Sequence, residues 1–135
     1  MKSLAKYLMD NYYSKYHGDR ADVVPTSEQI ALAYKLHRDK FVIVRDDKIK
    51  GVAVFVTLTD ETYKLLDSLD ITRVDILEML FKEAGPHVHF VLLCADGYKT
   101  IVYGMNKVIK RYRPETVSWW NPDLNKLHKY FIGER

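Results

Sequence analysis

The sequence predicts an α/β domain, of the α+β kind, with a mixed, largely antiparallel central sheet flanked by helices. Two β-branched runs at 41–45 and 51–58 surround a polar turn, the signature of a hairpin. A third run, at 87–94, is apolar throughout its centre, as expected for a central strand covered on both faces. The last third then alternates strand and helix. A length of 135 residues with 47% hydrophobic content is typical of a single domain spanning 1–135.

Two amphipathic helices are predicted before the hairpin. The first has apolar residues at helical spacing, namely Leu4, Tyr7, Leu8, Tyr12 and Tyr16, before Gly18 ends the pattern. The second is capped by Thr26 or Ser27 after Pro25 and should end near Asp39. After the hairpin, the polar segment 59–70 includes a short helix. A stronger helix follows, capped by Thr72 and stopped by Gly85 and Pro86.

The C-terminal elements begin after the turn at 95–100. A long helix carries one apolar stripe and ends at Pro114, and 116–120 reads as a fourth strand. Asn121, Pro122 and Asp123 have the order of an N-cap, a first-turn proline and a first-turn acid. A final helix is therefore predicted, with its apolar residues at Leu124, Leu127, His128 and Phe131.

Composition indicates the cellular compartment of the protein and the charge of its partners. Cys94 is the only cysteine and lies in an apolar run, which favours a buried thiol in a reducing compartment. No segment has the length of a signal peptide core or a membrane span, so the expected location is cytoplasmic with no membrane partner. The formal charge is +3, and residues 99–135 hold eight Lys or Arg against three acids. This end favours an anionic partner, which includes phosphates, nucleic acid and acidic proteins.

The turn from Asp96 to Thr100 is the first candidate site. It joins a buried strand to a helix, where free amides and the helix dipole converge on an anion. Gly97 permits close approach of the backbone, and Lys99 and Thr100 can contact the ligand directly. An ordinary capped turn is the alternative. The glycine patterns of P-loops and dinucleotide-binding folds are absent.

Two further residue groups are candidates for a site. His87 and His89 face the same way on a strand, but two ligands without a nearby Cys or paired acid favour a structural role, and no metal site is predicted. Trp119 and Trp120 beside a basic helix could bind nucleic acid, with a base stacked on one of them. Because adjacent strand residues point to opposite faces, only one tryptophan can serve any one surface.

The order of elements resembles the GNAT superfamily of acyl-coenzyme A N-acyltransferases. The resemblance implies that the strand around Leu92 offers its backbone to the pantetheine arm, while Gly97, Tyr98, Lys99 and Thr100 receive the pyrophosphate of acetyl-CoA or another acyl-CoA. Asn121, followed by a helix containing Tyr130, is similar to an Asn and Tyr arrangement in which Asn121 positions the donor and Tyr130 protonates the departing thiolate.

The resemblance also implies direct transfer to an amine, on a small molecule or a protein, with His89 as the candidate general base. The alternative is a catalytically inactive GNAT-like accessory protein, for example of a mobile element, that binds another protein or nucleic acid. Asp96 and the single glycine of this turn favour that alternative, because the family's phosphate loop carries two glycines and no acid at its start.

Overall fold

The chain forms a five-stranded mixed sheet flanked by helices within the residues that the structure, a computed structural model, describes: 2–15, 24–69, 73–121 and 126–132. The strands are β1 (Phe41–Arg45), β2 (Ile49–Leu58), β3 (His87–Ala95), β4 (Thr116–Asn121) and β5 (Lys126–Phe131), and they lie side by side in that order. Every neighbouring pair is antiparallel except β3 and β4, which are parallel. The predicted fold class is confirmed.

The helices divide between the two faces of the sheet. They are α1 (Lys2–Leu8), α2 (Ser27–Leu36), α3 (Asp60–Lys64), α4 (Val74–Leu80) and α5 (Tyr98–Tyr112). Adjacent side chains of β2 point to these two faces. Val54 packs with residues of α1, α2 and α4, while Phe55 packs with Val108 of α5. The predicted central strand is β3, which lies in the middle of the sheet.

The N-terminal helices begin and end for local reasons. Thr26 caps α2 as predicted, because its hydroxyl accepts the Gln29 amide and the Gln29 side chain accepts the Thr26 amide in return. This helix ends at Leu36, earlier than predicted, and Arg38–Lys40 forms a separate 3₁₀ turn. The first helix changes at Met9–Tyr13 into a π-helical turn that keeps Tyr12 buried. The predicted Tyr16 position and the Thr72 cap lie outside the described residues.

The predicted final helix is wrong. Residues Lys126–Phe131 form β5, which pairs with β4 along its whole length, from Thr116 opposite Phe131 to Asn121 opposite Lys126. In the strand, His128 and Tyr130 lie two residues apart on one face, and both stack on Trp119 of β4. Pairing with β5 satisfies a backbone edge that β4 would otherwise leave open. Asn121, the predicted cap, is the last residue of β4, and the predicted first-turn residues Pro122 and Asp123 lie outside the described residues.

Candidate functional site

A cleft opens where the two parallel strands separate. β3 and β4 pair only from His87 opposite Thr116 to Phe90 opposite Trp119. The next residue, Val91, has no partner in β2, because Phe55 pairs with Phe90 and Val54 with Leu92. This β-bulge bends β3, and β4 continues beside β5 instead. The backbone of residues 92–95 therefore has no strand partner on its β4 side.

The cleft has the size of a small-molecule site, with a volume of about 640 Å³. Leu93, Cys94 and Ala95 form one wall, and the end of β4 from Trp119 to Asn121 forms the other. One stripe of α5, including Ile101 and Met105, covers it from one side. On the opposite side lie residues of the π-helical turn and the turn after it, namely Asn11, Tyr12 and Lys15. The lining combines apolar surface with convergent polar groups.

The N-terminus of α5 lies at this cleft. The amides of Gly97, Tyr98 and Lys99 donate to no described residue, whereas the Thr100 and Ile101 amides return to the Gly97 carbonyl. A Cβ placed on Gly97 would meet no atom within 4 Å, so space for a ligand lies beside it. The side chains of Tyr98 and Lys99 are exposed. Three free amides at the positive end of a 15-residue helix form an anion-binding arrangement.

The carboxylate of Asp96 is already engaged by other groups. It accepts a hydrogen bond from the Tyr7 hydroxyl at 3.2 Å, and the same hydroxyl also approaches the Lys50 carbonyl at 3.0 Å. Burial, followed by the influence of Cys94 and Asp96, raises the pKa of Tyr7, so its hydroxyl stays protonated as a donor. The carboxylate of Asp96 is thus directed toward Tyr7 of α1. This orientation reduces its repulsion of an anion bound at the start of α5.

Of the predicted site residues, Tyr98, Asn121 and Tyr130 line the cleft, whereas Leu92, Gly97, Lys99 and Thr100 are not part of its lining. Asn121 lies at the end of β4, and Tyr130 lies on β5. The Tyr130 ring stacks on Trp119 with centroids 5.1 Å apart and is half exposed. The side chain of Leu92 instead points into the core on the opposite face. Only the backbone of Leu92 is available at the separated edge of β3.

His89 is fully buried and lines neither cavity of the described structure. Its Nδ1 lies 2.7 Å from the Ser118 hydroxyl, and its Nε2 has no hydrogen-bond partner among the described residues. Burial, with a smaller contribution from the charge of Lys129, lowers the pKa of His89 to about 3. The imidazole is therefore neutral at physiological pH and has no path to a substrate.

A second, apolar cavity of about 130 Å³ lies on the other face of the sheet. It is bounded by the π-helical turn, α2, α4 and the sheet, with Ile30, Phe41 and Leu77 among its walls. Tyr12 lines both this cavity and the cleft, and Val91 and Leu92 separate the cavity from the cleft residues Leu93 and Cys94. The bulge therefore lies between the two spaces.

Sequence reasoning missed Tyr12 and Lys15 as site residues. The sequence predicts Tyr12 in the apolar stripe of the first helix, and the side chain is indeed buried. The π-helical turn that brings it to the cleft has no sequence signal. Cys94 does lie at the cleft, but burial is the largest influence on its thiol and raises its pKa. The predicted buried character of this cysteine is confirmed.

The two tryptophans differ in burial, although both line the cleft. Trp119 packs with the α5 core and stacks on His128 and Tyr130, whereas Trp120 is exposed. Trp120 is thus the one large exposed aromatic of this pair, and the basic side chains of α5 at Lys107, Lys110 and Arg111 are also exposed.

Comparison of the sequence with protein-family models and with curated proteins gave no match. Among the described residues, no helix has both the length and the apolar content needed to cross a bilayer. The site must therefore be interpreted from its own geometry.

Proposed function

We propose that this protein is a GNAT-type N-acyltransferase that moves an acyl group from an acyl-coenzyme A to an amine. The observation that carries the proposal is the cleft between β3 and β4, which opens at a β-bulge and ends at the free amides of α5. A cofactor with a long, amide-containing arm and a pyrophosphate matches both features, because the arm pairs with an unpaired strand edge and the phosphates bind a helix N-terminus.

The pyrophosphate binds at the start of α5 in this proposal. The amides of Gly97, Tyr98 and Lys99 point their hydrogens at its oxygens, and the Lys99 ammonium adds a charge. Thr100 supplies its hydroxyl, while its methyl group packs toward Gly51 of β2. The engagement of Asp96 by Tyr7 supports this assignment.

The pantetheine arm lies along the separated edge of β3. Beside the second half of β3, the arm takes the position that β4 has beside the first half. Its amides form hydrogen bonds with backbone groups between Leu92 and Ala95. The apolar stripe of α5, through Ile101 and Met105, covers the arm from one side. Asn121, across the cleft, orients the donor through its amide side chain.

Acyl transfer takes place beside the bulge, where Tyr12 lines both spaces. The amine enters from the apolar cavity, and its nitrogen attacks the thioester carbonyl directly. The carbon–sulfur bond breaks, and a tyrosine hydroxyl donates its proton to the thiolate. The acylated nitrogen then releases one proton, which restores the tyrosine hydroxyl and leaves a neutral amide and free coenzyme A. Tyr130 and Tyr12 are the two candidates for this acid. No residue is assigned as general base, since His89 reaches neither space; the amine enters unprotonated.

Calorimetric titration with acetyl-CoA tests the cofactor step. We expect micromolar binding to the wild type and at least fivefold weaker binding to Lys99→Ala. Thr100→Val keeps the methyl contact with Gly51 and removes only the hydroxyl, so a smaller loss is expected. Lys110→Ala, an exposed change on the same helix far from its start, is the matched control. Absence of binding at millimolar acetyl-CoA would remove the proposal.

The same titration separates the enzyme from the accessory-protein alternative. Binding of acetyl-CoA without release of free thiol, across a panel of amines, would indicate a cofactor-binding protein with no transferase activity. Absence of cofactor binding, together with salt-dependent binding of oligonucleotides that is lost on Lys110→Glu and Arg111→Glu, would support the nucleic-acid alternative.

A further inference from the structure

Three ligand-bearing side chains meet at the end of the sheet where β3 and β4 begin. They are Asp60, His87 and Glu115, and one ligand atom of each lies within 4.8 Å of the others. These residues are far apart in sequence, and each comes from a different segment: the first residue of α3, the first residue of β3, and the residue before β4. The cleft lies at the opposite ends of the same two strands.

We infer that Asp60, His87 and Glu115 bind a divalent transition-metal ion of the Zn²⁺ type. One imidazole nitrogen and two carboxylates form a ligand set that such ions accept, with water completing the coordination. In tetrahedral geometry, metal–ligand bonds of about 2.1 Å place any two ligand atoms about 3.4 Å apart. The carboxylates of Asp60 and Glu115 are exposed, so rotation of these side chains is sufficient to close the remaining gap. This inference does not depend on the proposed transferase function.

The imidazole of His87 is held in place for such a role. It is buried, and its Nδ1 lies 2.8 Å from the Thr116 hydroxyl, which leaves Nε2 directed toward Asp60 at 2.6 Å. The ring of Tyr63 stacks on it with centroids 4.2 Å apart and planes 12° apart. A second hydrogen bond that fixes the orientation of a ligating histidine is a common feature of metal sites.

The backbones that carry the two carboxylates are fixed as well. The Glu83 carboxylate accepts the Thr59 amide and the Thr62 hydroxyl, and this anchors the start of α3 beside Asp60. The Glu115 amide donates to the Pro86 carbonyl, next to His87, and the Glu115 carbonyl accepts the Ile132 amide. The backbone at all three ligand positions is therefore held in place before an ion binds, which lowers the entropic cost of assembling the site.

The charge balance of the cluster points to a cation. Among the residues that the structure describes, no Lys or Arg forms an ion pair with Asp60 or Glu115. Lys129 pairs with Asp67 instead. A divalent ion compensates both carboxylates, and its bonds to Nε2 of His87 and Oδ1 of Asp60 replace the contact between these two atoms.

The test uses full-length protein without an affinity tag, stripped of metal by a chelator and titrated calorimetrically with Zn²⁺. We expect one ion per chain with a dissociation constant in the micromolar range or below, and a rise in the unfolding temperature with added Zn²⁺. Asp60→Asn and Glu115→Gln should each weaken binding at least tenfold. These exposed residues carry the test because His87→Ala removes a buried, stacked ring and risks unfolding.

Glu61→Gln is the matched control, because it removes an exposed acid next to Asp60 on the same helix but outside the cluster. It should bind Zn²⁺ as the wild type does. Absence of stoichiometric binding, or equal binding by the Asp60→Asn, Glu115→Gln double variant, would overturn the inference. Loss of Zn²⁺ binding in Cys94→Ala, with the carboxylate variants unaffected, would also overturn it by locating the ion elsewhere.

Discussion

Phe90 and Trp119 form the last residue pair that joins β3 to β4, and the residue after Phe90 has no partner in β2 either. The bulge and the end of the parallel pairing therefore coincide. In a regular sheet the two strands would continue side by side and close the cleft between them. Val91 is the inserted residue at this point, and its effect on the opening can be tested directly.

Deleting Val91 should abolish cofactor binding while the protein still folds. Without it, Phe90 and Leu92 become adjacent and keep their β2 partners Phe55 and Val54, so neither face of β3 changes its side chains. The strand then continues beside β4, and the cleft narrows. Calorimetry with acetyl-CoA measures the loss. Val91→Ala keeps the bulge and should bind normally; binding by the deletion variant would contradict the role of the bulge.

Replacing each candidate tyrosine by phenylalanine should identify the acid. Loss of the proton donor is expected to lower kcat by 10²-fold or more with little change in the dissociation constant of acetyl-CoA. Tyr12→Phe is expected to have the larger effect, because Tyr12 lines both the cleft and the apolar cavity, whereas Tyr130 lines the cleft alone. Steady-state kinetics with a thiol reagent provides the measurement. Unchanged kcat in both variants would show that neither tyrosine is the acid and that water protonates the thiolate.

Acid should destabilise the protein through His89. The folded state holds its pKa near 3, below the 6.5 of an unfolded chain, so the unfolded state binds the proton first. The contribution of His89 to stability is complete above pH 6.5 and is lost as the pH falls toward 3. Between pH 7 and pH 4 this amounts to roughly 3 kcal/mol, at 1.36 kcal/mol for each pKa unit.

Urea unfolding of His89→Asn isolates this contribution. Asparagine retains a polar atom near the position of Nδ1 for the Ser118 hydroxyl but does not titrate. The variant should be less stable than the wild type at pH 7 and should lose less stability on acidification. Parallel pH profiles for the two proteins would show that the burial of His89 is not what sets the acid sensitivity.

Two glycines should respond oppositely to alanine. A Cβ at Gly85 would overlap the Leu58 carbonyl and the Thr59 nitrogen, so Gly85→Ala should cost several kcal/mol of stability, on the scale of strong overpacking. A Cβ at Gly97 meets open space, and its backbone is extended, so Gly97→Ala should cost about 1 kcal/mol or less, as expected for an N-cap. Thermal unfolding checks both. Gly97→Ala should nevertheless weaken acetyl-CoA binding, because the methyl group occupies the space left for phosphate.

The sequence by itself determined the elements whose signals are local. The hairpin of β1 and β2, the capping box at Thr26 and the apolar stripe of α5 follow from propensity, capping chemistry and periodicity within a few residues. The strand-to-helix turn at 96–100 was likewise predicted from sequence, because it joins an apolar run to an amphipathic one, and its role as an anion site stays a prediction.

Only the tertiary structure decided which distant residues meet. β5 was predicted as a helix because Leu127, His128 and Phe131 recur at helical spacing, and pairing with β4 overrode that local pattern. The bulge at Val91 depends on its alignment with β2, which no local pattern encodes. Asp60 and Glu115 approach His87 only because α3 and the start of β4 pack at one end of the sheet. Local chemistry therefore specified the elements, and long-range pairing created the cleft and the cluster.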